Sequence, residues 1–220
     1  MLIGFGYKAG VGKDTSGDYL VKEYGFAKDS FARSLKGMCM ELFSLSAEDV
    51  STEAGKSSKL PKSVEYTAHL DSLVFSRVFG DLRQCGVDLS DMYVESDVSR
   101  IGRVLSTPRE ILQFIGTDVI RSYYPDYHLR TLLARTSPDV NTAVCDVRFP
   151  NEVRAVREAG GILVNVTRPT QTLAASTASH KSEVALDGFE WDYVVNNDAD
   201  FSNLYKQLDS LMVLEGRYGR

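Results

Sequence analysis

The chain has 220 residues, with 25 Lys and Arg against 30 Asp and Glu, a formal net charge of −5. That length suits a single domain (1–220) with room for an inserted segment, and the acidic balance argues against a protein that coats nucleic acid, whose footprint is basic. No apolar run reaches the roughly 18 residues a membrane span needs, the short N-terminal apolar stretch does not read as a signal-peptide pattern, and Cys39, Cys85 and Cys145, without paired spacing, read as reduced thiols of a cytoplasmic protein.

In chain order, Met1 to Tyr7 is a short apolar run that reads as a buried strand. Lys8-Ala9-Gly10-Val11-Gly12-Lys13-Asp14-Thr15 follows, and a helical pattern runs from Lys13 to about Tyr24. Strand, glycine-rich turn, Gly-Lys and helix are the parts of a phosphate-binding loop. Gly10 and Gly12 let backbone N–H groups converge on one anion, and the helix start adds partial positive charge. Val11, Gly12, Lys13, Asp14 and Thr15 are the candidate ATP-phosphate cradle. Gly6 stands one residue early for the common spacing, Tyr7 takes the first-glycine place, and the hydroxyl comes one residue late, at Thr15. In that lateness the core resembles the loop of nucleoside monophosphate kinases. The plainer reading is a glycine turn with an exposed lysine.

Gly25 marks a helix stop. Phe26 to Ala32 reads as a second extended piece, and Arg33 to Phe43 as a helix with Leu35, Met38, Leu42 and Phe43 on one face. Arg33 and Lys36 stand near its start, where the helix dipole favours anions. A bound phosphate would account for them, and so would simple solvation. Residues 44–105 read as a peripheral inserted segment covering a substrate site. Within it Ser44 to Lys62 is polar and loop-like, and periodicity does not decide between helix and strand for Val64 to Phe79. His69, standing alone, reads as a surface or packing residue.

Thr107-Pro108-Arg109-Glu110 has the form of a helix start. Ile111, Leu112 and Ile115 give a core face, Gly116 breaks the run, and a second helical segment continues through Val119 and Ile120. Arg109, Gln113, Thr117, Asp118 and Arg121 are its polar residues. A further helix covers Leu129 to Ala134. Thr142 to Asp146 is an apolar strand ending in an acid, where a P-loop enzyme places a carboxylate that holds Mg²⁺ or orients substrate. Arg148 is a candidate phosphate grip. A helix opens at Pro150 and stops at Gly160-Gly161. Ile162 to Val166 is another strand, followed by Thr167-Arg168-Pro169. This βαβ spacing implies parallel strands, with Lys13, Asp146, Arg148 and Arg168 at their carboxyl ends, where such sheets bind ligands. Trp191 to Asn197 is a last strand and Phe201 to Leu214 a closing helix. Thr170 to Ser179 reads as a loop, and His180, Ser182 and Glu183 follow it, before that last strand, with open roles.

Several segments together carry a family resemblance: Gly12-Lys13-Asp14-Thr15, Arg109 through Arg121, Asp146 through Glu152, Thr167-Arg168-Pro169 and His180 through Glu183. They resemble the bacteriophage deoxynucleoside monophosphate kinases in content and order, over both ends of the chain and outside 44–105. The resemblance implies an α/β P-loop NTPase fold, a three-layer sandwich with a parallel central sheet, similar to adenylate kinase. It also implies transfer of the γ-phosphoryl of ATP, with Mg²⁺, to a deoxynucleoside monophosphate, by an enzyme that forms homodimers and has small-molecule partners only. On that expectation Lys13, Asp146, Arg148 and Arg168 are catalytic, and Thr15 and Asp146 hold the metal. Lys8, Arg33, Lys36, Arg109 and Arg121 meet the monophosphate, and Gln113, Gly116, Thr117 and Asp118 meet sugar or base. Two alternatives fit the same loop: a kinase of the dephospho-coenzyme A or phosphomevalonate type, and a nucleotide-binding regulatory module with no acceptor.

Overall fold

The structure, a computed structural model, describes residues 1–6, 8–90, 98–169 and 184–216. In chain order the elements are β1 (Leu2–Gly6), α1 (Lys13–Tyr24), β2 (Ala27–Asp29), α2 (Arg33–Phe43), α3 (Ala47–Ser51) and α4 (Glu53–Ser57). Next come β3 (Val64–Glu65), α5 (Ala68–Gln84), β4 (Val104–Leu105), α6 (Pro108–Gln113), a π-helical turn (Phe114–Val119), α7 (Ile120–Tyr123) and α8 (Tyr127–Leu133). The chain closes with β5 (Thr142–Val147), α9 (Pro150–Glu158), β6 (Ile162–Thr167), β7 (Tyr193–Asn196) and α10 (Phe201–Leu214). Two compact units result: Met1–Phe31 with Thr136–Arg220, and Ala32–Arg135.

The first unit is built on a five-stranded sheet of order β2-β5-β1-β6-β7. Its pairs are parallel, with Ile3 opposite Ala143 on one side and Ile162 on the other. Continuous apolar runs such as Ala143-Val144-Cys145 suit strands covered on both faces. On one face Ile3, Phe5, Ala143 and Val164 form a single core with Leu20 of α1 and Leu208 of α10. On the other face α9 comes so close that a Cβ on Gly4 would lie 2.9 Å from Val147 and 3.3 Å from Val156. The expected three-layer α/β sandwich with a parallel sheet is therefore what the chain forms. Fully burying each such Leu or Phe contributes roughly 1.5–3 kcal/mol, which makes this core the unit's main stabilisation.

The second unit is helical, with a small antiparallel pair, β3 and β4. Its core gathers Met38, Tyr66, Val78, Ile111 and Tyr127 among others. Two sequence expectations need correction here, and one question that periodicity left open is answered. Ser44 to Lys62 is not a loop: it holds α3 and α4, capped by Ser46 and Thr52 through bonds to the N–H groups of Asp49 and Gly55. Polar composition hid these helices because short capped turns need few apolar residues. Val64 to Phe79 is both strand and helix, β3 and then α5 capped by Thr67. Gly116 does not break its helix. It sits inside the π turn, buried, where a Cβ would meet Leu35 at 2.5 Å, so the glycine permits a close packing of α2.

Candidate active site

The phosphate loop follows β1. Gly10 and Gly12 have φ of 71° and 111°, left-handed values that an L side chain adopts only with strain. Gly12 is the N-cap of α1 and carries no side-chain cap. Its carbonyl accepts both the backbone N–H and the hydroxyl of Ser16, at 2.9 and 3.0 Å. Lys13 is only 5% exposed, and its ammonium donates to the carbonyl of Lys8. The charge is thereby folded across the loop it belongs to. Asn197 at the end of β7 donates from Nδ2 to the carbonyl of Val11 at 2.8 Å.

Asp14 is exposed and lies 3.1 Å from the ammonium of Lys28, which also meets Asp18 at 2.9 Å. Partial burial lowers the Lys28 pKa, but Asp18 and Asp14 outweigh it and the net shift is upward, so the ammonium form is favoured. Thr15 is half-buried in the first turn of α1.

The end of β5 supplies Asp146 and Arg148. Asp146 accepts the N–H of Phe31 at 2.8 Å, which orients its carboxylate. The N–H groups of Arg148 and Phe149 both donate to the carboxylate of Glu152, at 2.8 and 3.1 Å. Glu152 is 2% exposed and sets the turn that carries Arg148 from strand to helix. Arg168 is exposed just past β6. β5 and β6 flank β1 on either side and run parallel to it, so Lys13, Asp146, Arg148 and Arg168 come to one edge of the sheet. Strand order also reverses here: α1 packs on one face and α9 on the other, so the connections from β1 and β5 diverge. Such a crevice at the carboxyl ends is where open α/β sheets take ligands. Mg²⁺ beside a nucleotide is usually held by one or two protein oxygens plus phosphate, and the hydroxyl of Thr15 and the carboxylate of Asp146 are oxygens of that kind.

Within the second unit, Arg33 and Lys36 lie in the first turn of α2, which has no acidic residue there and no side-chain cap. Arg109 pairs with Glu53 at 2.6 Å. Partial burial raises the Glu53 carboxyl, but Arg109 and Lys56 outweigh that and hold it below its ordinary value. Gln113 ends α6, and Thr117 and Asp118 ride on the π turn with buried Gly116. Asp118 lies 3.6 Å from Arg103, whose guanidinium stacks on the ring of Phe114. Arg121 donates to the carbonyl of Pro125 at 3.2 Å. Lys8, expected with these cations, belongs to the first unit and pairs with Asp187 at 2.9 Å.

Asn197, Glu152 and Lys28 are residues that sequence reasoning did not single out. Asn197 appears in the sequence only as part of an Asn-rich strand end. The spacing of Glu152 after Phe149 is the one signal that was readable, since an acid at the third helical position reaches back to the cap. Tyr7, His180, Ser182 and Glu183 lie outside the described residues. No described helix is long and apolar enough to cross a membrane.

Comparison with known proteins bears on this geometry. A family model described as deoxynucleotide monophosphate kinase matches residues 82–208. A protein of Acanthamoeba polyphaga mimivirus named "Putative deoxynucleotide monophosphate kinase" is 30% identical over 226 residues, covering 96% of this chain and 95% of that protein. With the matched segment spanning more than half the sequence and the relative matching almost end to end, the chain belongs to the deoxynucleotide monophosphate kinase family.

Proposed function

We propose that this protein transfers the γ-phosphoryl group of ATP, with Mg²⁺, to a deoxynucleoside monophosphate. The observation that supports it best is the gathering of a left-handed glycine loop, Asp146, Arg148 and Arg168 at one sheet edge. Phosphoryl transfer needs positioning and charge neutralisation more than covalent chemistry. Backbone N–H groups from Val11 to Thr15 cradle the ATP phosphates. Lys13 leaves the Lys8 carbonyl and neutralises oxygens on the transferring group. Arg148 and Arg168 offset the charge that spreads over that group at the transition state. Thr15 and Asp146 would hold Mg²⁺, which would supply positive charge to offset that of the phosphates. Arg33, Lys36, Arg109 and Arg121 hold the acceptor phosphate, and Gln113, Gly116, Thr117 and Asp118 line the sugar and base.

The test is ADP release from Mg·ATP with each deoxynucleoside monophosphate, beside dephospho-coenzyme A and phosphomevalonate. Turnover rises with at least one deoxynucleotide and with neither of the other two. No stimulation by any deoxynucleotide overturns the reading. Lys13→Ala, as a control, abolishes turnover while circular dichroism stays native. Loss of even one well-placed charge or donor typically costs on the order of 10²–10³ in rate.

A further inference from the structure

We infer that Asn197 is a positioning residue of the phosphate loop, setting the direction of the Val11–Gly12 peptide and so the affinity for the triphosphate. The inference rests on the phosphate-loop reading above. Asn197 is 4% exposed, and its Nδ2 donates to the Val11 carbonyl at 2.8 Å. In a planar trans peptide the C=O and the following N–H point in opposite directions. Fastening the Val11 carbonyl on Asn197 therefore turns the Gly12 N–H the other way, toward the anion. A carbonyl left to rotate would instead present its oxygen to the phosphates, which repel it. The same amide fills the space a side chain on Gly12 would need, since a Cβ there would collide with Nδ2. Gly12 is thus required twice, by its φ of 111° and by its neighbour.

Asn197 is itself held rigidly. Its N–H donates to the Thr167 carbonyl at 2.8 Å. Beside it, the N–H and carbonyl of Asn196 both bond the side chain of Gln207 on α10, at 2.9 and 2.8 Å. The Thr167 hydroxyl donates to the Asn196 side chain at 2.7 Å. The last strand, the closing helix and the end of β6 converge on the backbone from which the Asn197 amide reaches the loop. Such outer supports are commonly what keeps a binding constellation within the tolerance it needs. An Asp in this position would set a carboxylate against the Val11 carbonyl and add negative charge beside the phosphates.

The experiment compares wild type, Asn197→Asp and Asn197→Ser by calorimetric titration with Mg·ATP and with inorganic tripolyphosphate. The second probe carries no base or sugar. Both Kd values rise about tenfold or more, by the same factor, in either variant, while the KM for the acceptor changes less than twofold. A merely structural role would not spare the acceptor KM. Unchanged tripolyphosphate affinity in a folded variant overturns the inference, including the case in which ATP alone is weakened and Asn197 acts on the base. Wild type failing to bind tripolyphosphate overturns the phosphate-loop reading instead, and this one with it. Should neither variant fold, nuclear magnetic resonance of wild type decides. The Asn197 side-chain NH₂ exchanges slowly with solvent and shifts on adding tripolyphosphate. Fast exchange with no shift sinks the inference.

Discussion

Gly17 carries a cost that its surroundings explain. A glycine inside a helix is destabilising by roughly 0.5–1 kcal/mol relative to alanine. Here α1 presses so closely on β5 that a Cβ on Gly17 would collide with the sulfur of Cys145. Gly17→Ala therefore overpacks the junction, at about 1–3 kcal/mol. Gly17→Ala with Cys145→Ala removes the obstructing sulfur and recovers most of that loss, measured by urea unfolding of single and double variants. Equal losses in the two would sink the steric account, since coupled neighbours must show non-additivity. The same closeness governs thiol chemistry. Burial pushes Cys145 and Cys39 each up to about 12. At pH 8 neither forms the thiolate that alkylates. Iodoacetamide labels the half-buried Cys85 alone in the native protein, read by mass spectrometry.

Among elements, the run α6, π turn, α7 shows how local rules and tertiary packing divide the work. Thr107 accepts the N–H of Glu110 at 3.2 Å, and Glu110 reaches back to the N–H of Ser106 at 2.6 Å. Thr107→Ala costs about 1 kcal/mol in urea unfolding, the usual worth of such a cap. This start was legible because threonine, proline and an acid each act within one turn; α1 was legible from the glycine turn before it and Gly25 after it, and α2 and α10 from their apolar faces. The π turn was not. Within it Gly116 lies against Leu35, a neighbour far away in sequence. In the site, the glycine loop and the acid after β5 carry strong local signals. Asn197 and Lys28 act only through partners the fold brings to them. The Arg109–Glu53 pair, which links α6 to α4, is likewise invisible until both helices are placed. Its pH dependence follows from the lowered Glu53 carboxyl. The contribution is present above the unfolded glutamate pKa and disappears as pH falls through the folded one. Glu53 is 66% exposed, so Glu53→Gln costs well under 1 kcal/mol at pH 7. As pH falls through the folded pKa the gap between wild type and variant closes, whereas a gap independent of pH would place the effect in packing.

On the scale of the whole molecule, each unit has its own hydrophobic core, and the candidate charges divide between the two. The glycine loop, Asp146, Arg148 and Arg168 belong to the sheet unit. Arg33, Lys36, Arg109 and Arg121 belong to the helical unit. A phosphate acceptor needs cations, and a helix start lacking both acid and cap is a favourable place to put one. If the proposed function holds, the two substrates protect different stretches of chain from hydrogen exchange. Mg·ATP slows exchange chiefly at 8–16, where the loop amides close on phosphate. A deoxynucleoside monophosphate slows it chiefly at 33–36 and 108–121, where the second set of cations stands. Exchange reports local opening, so protection appears where a ligand removes it. Arg109→Ala raises the acceptor KM at least tenfold and leaves that for ATP within twofold, because only one of the substrates uses it. Protection of the sheet unit alone by both substrates, or equal loss of both affinities in Arg109→Ala, would place the acceptor elsewhere and leave the helical unit without the role given to it here.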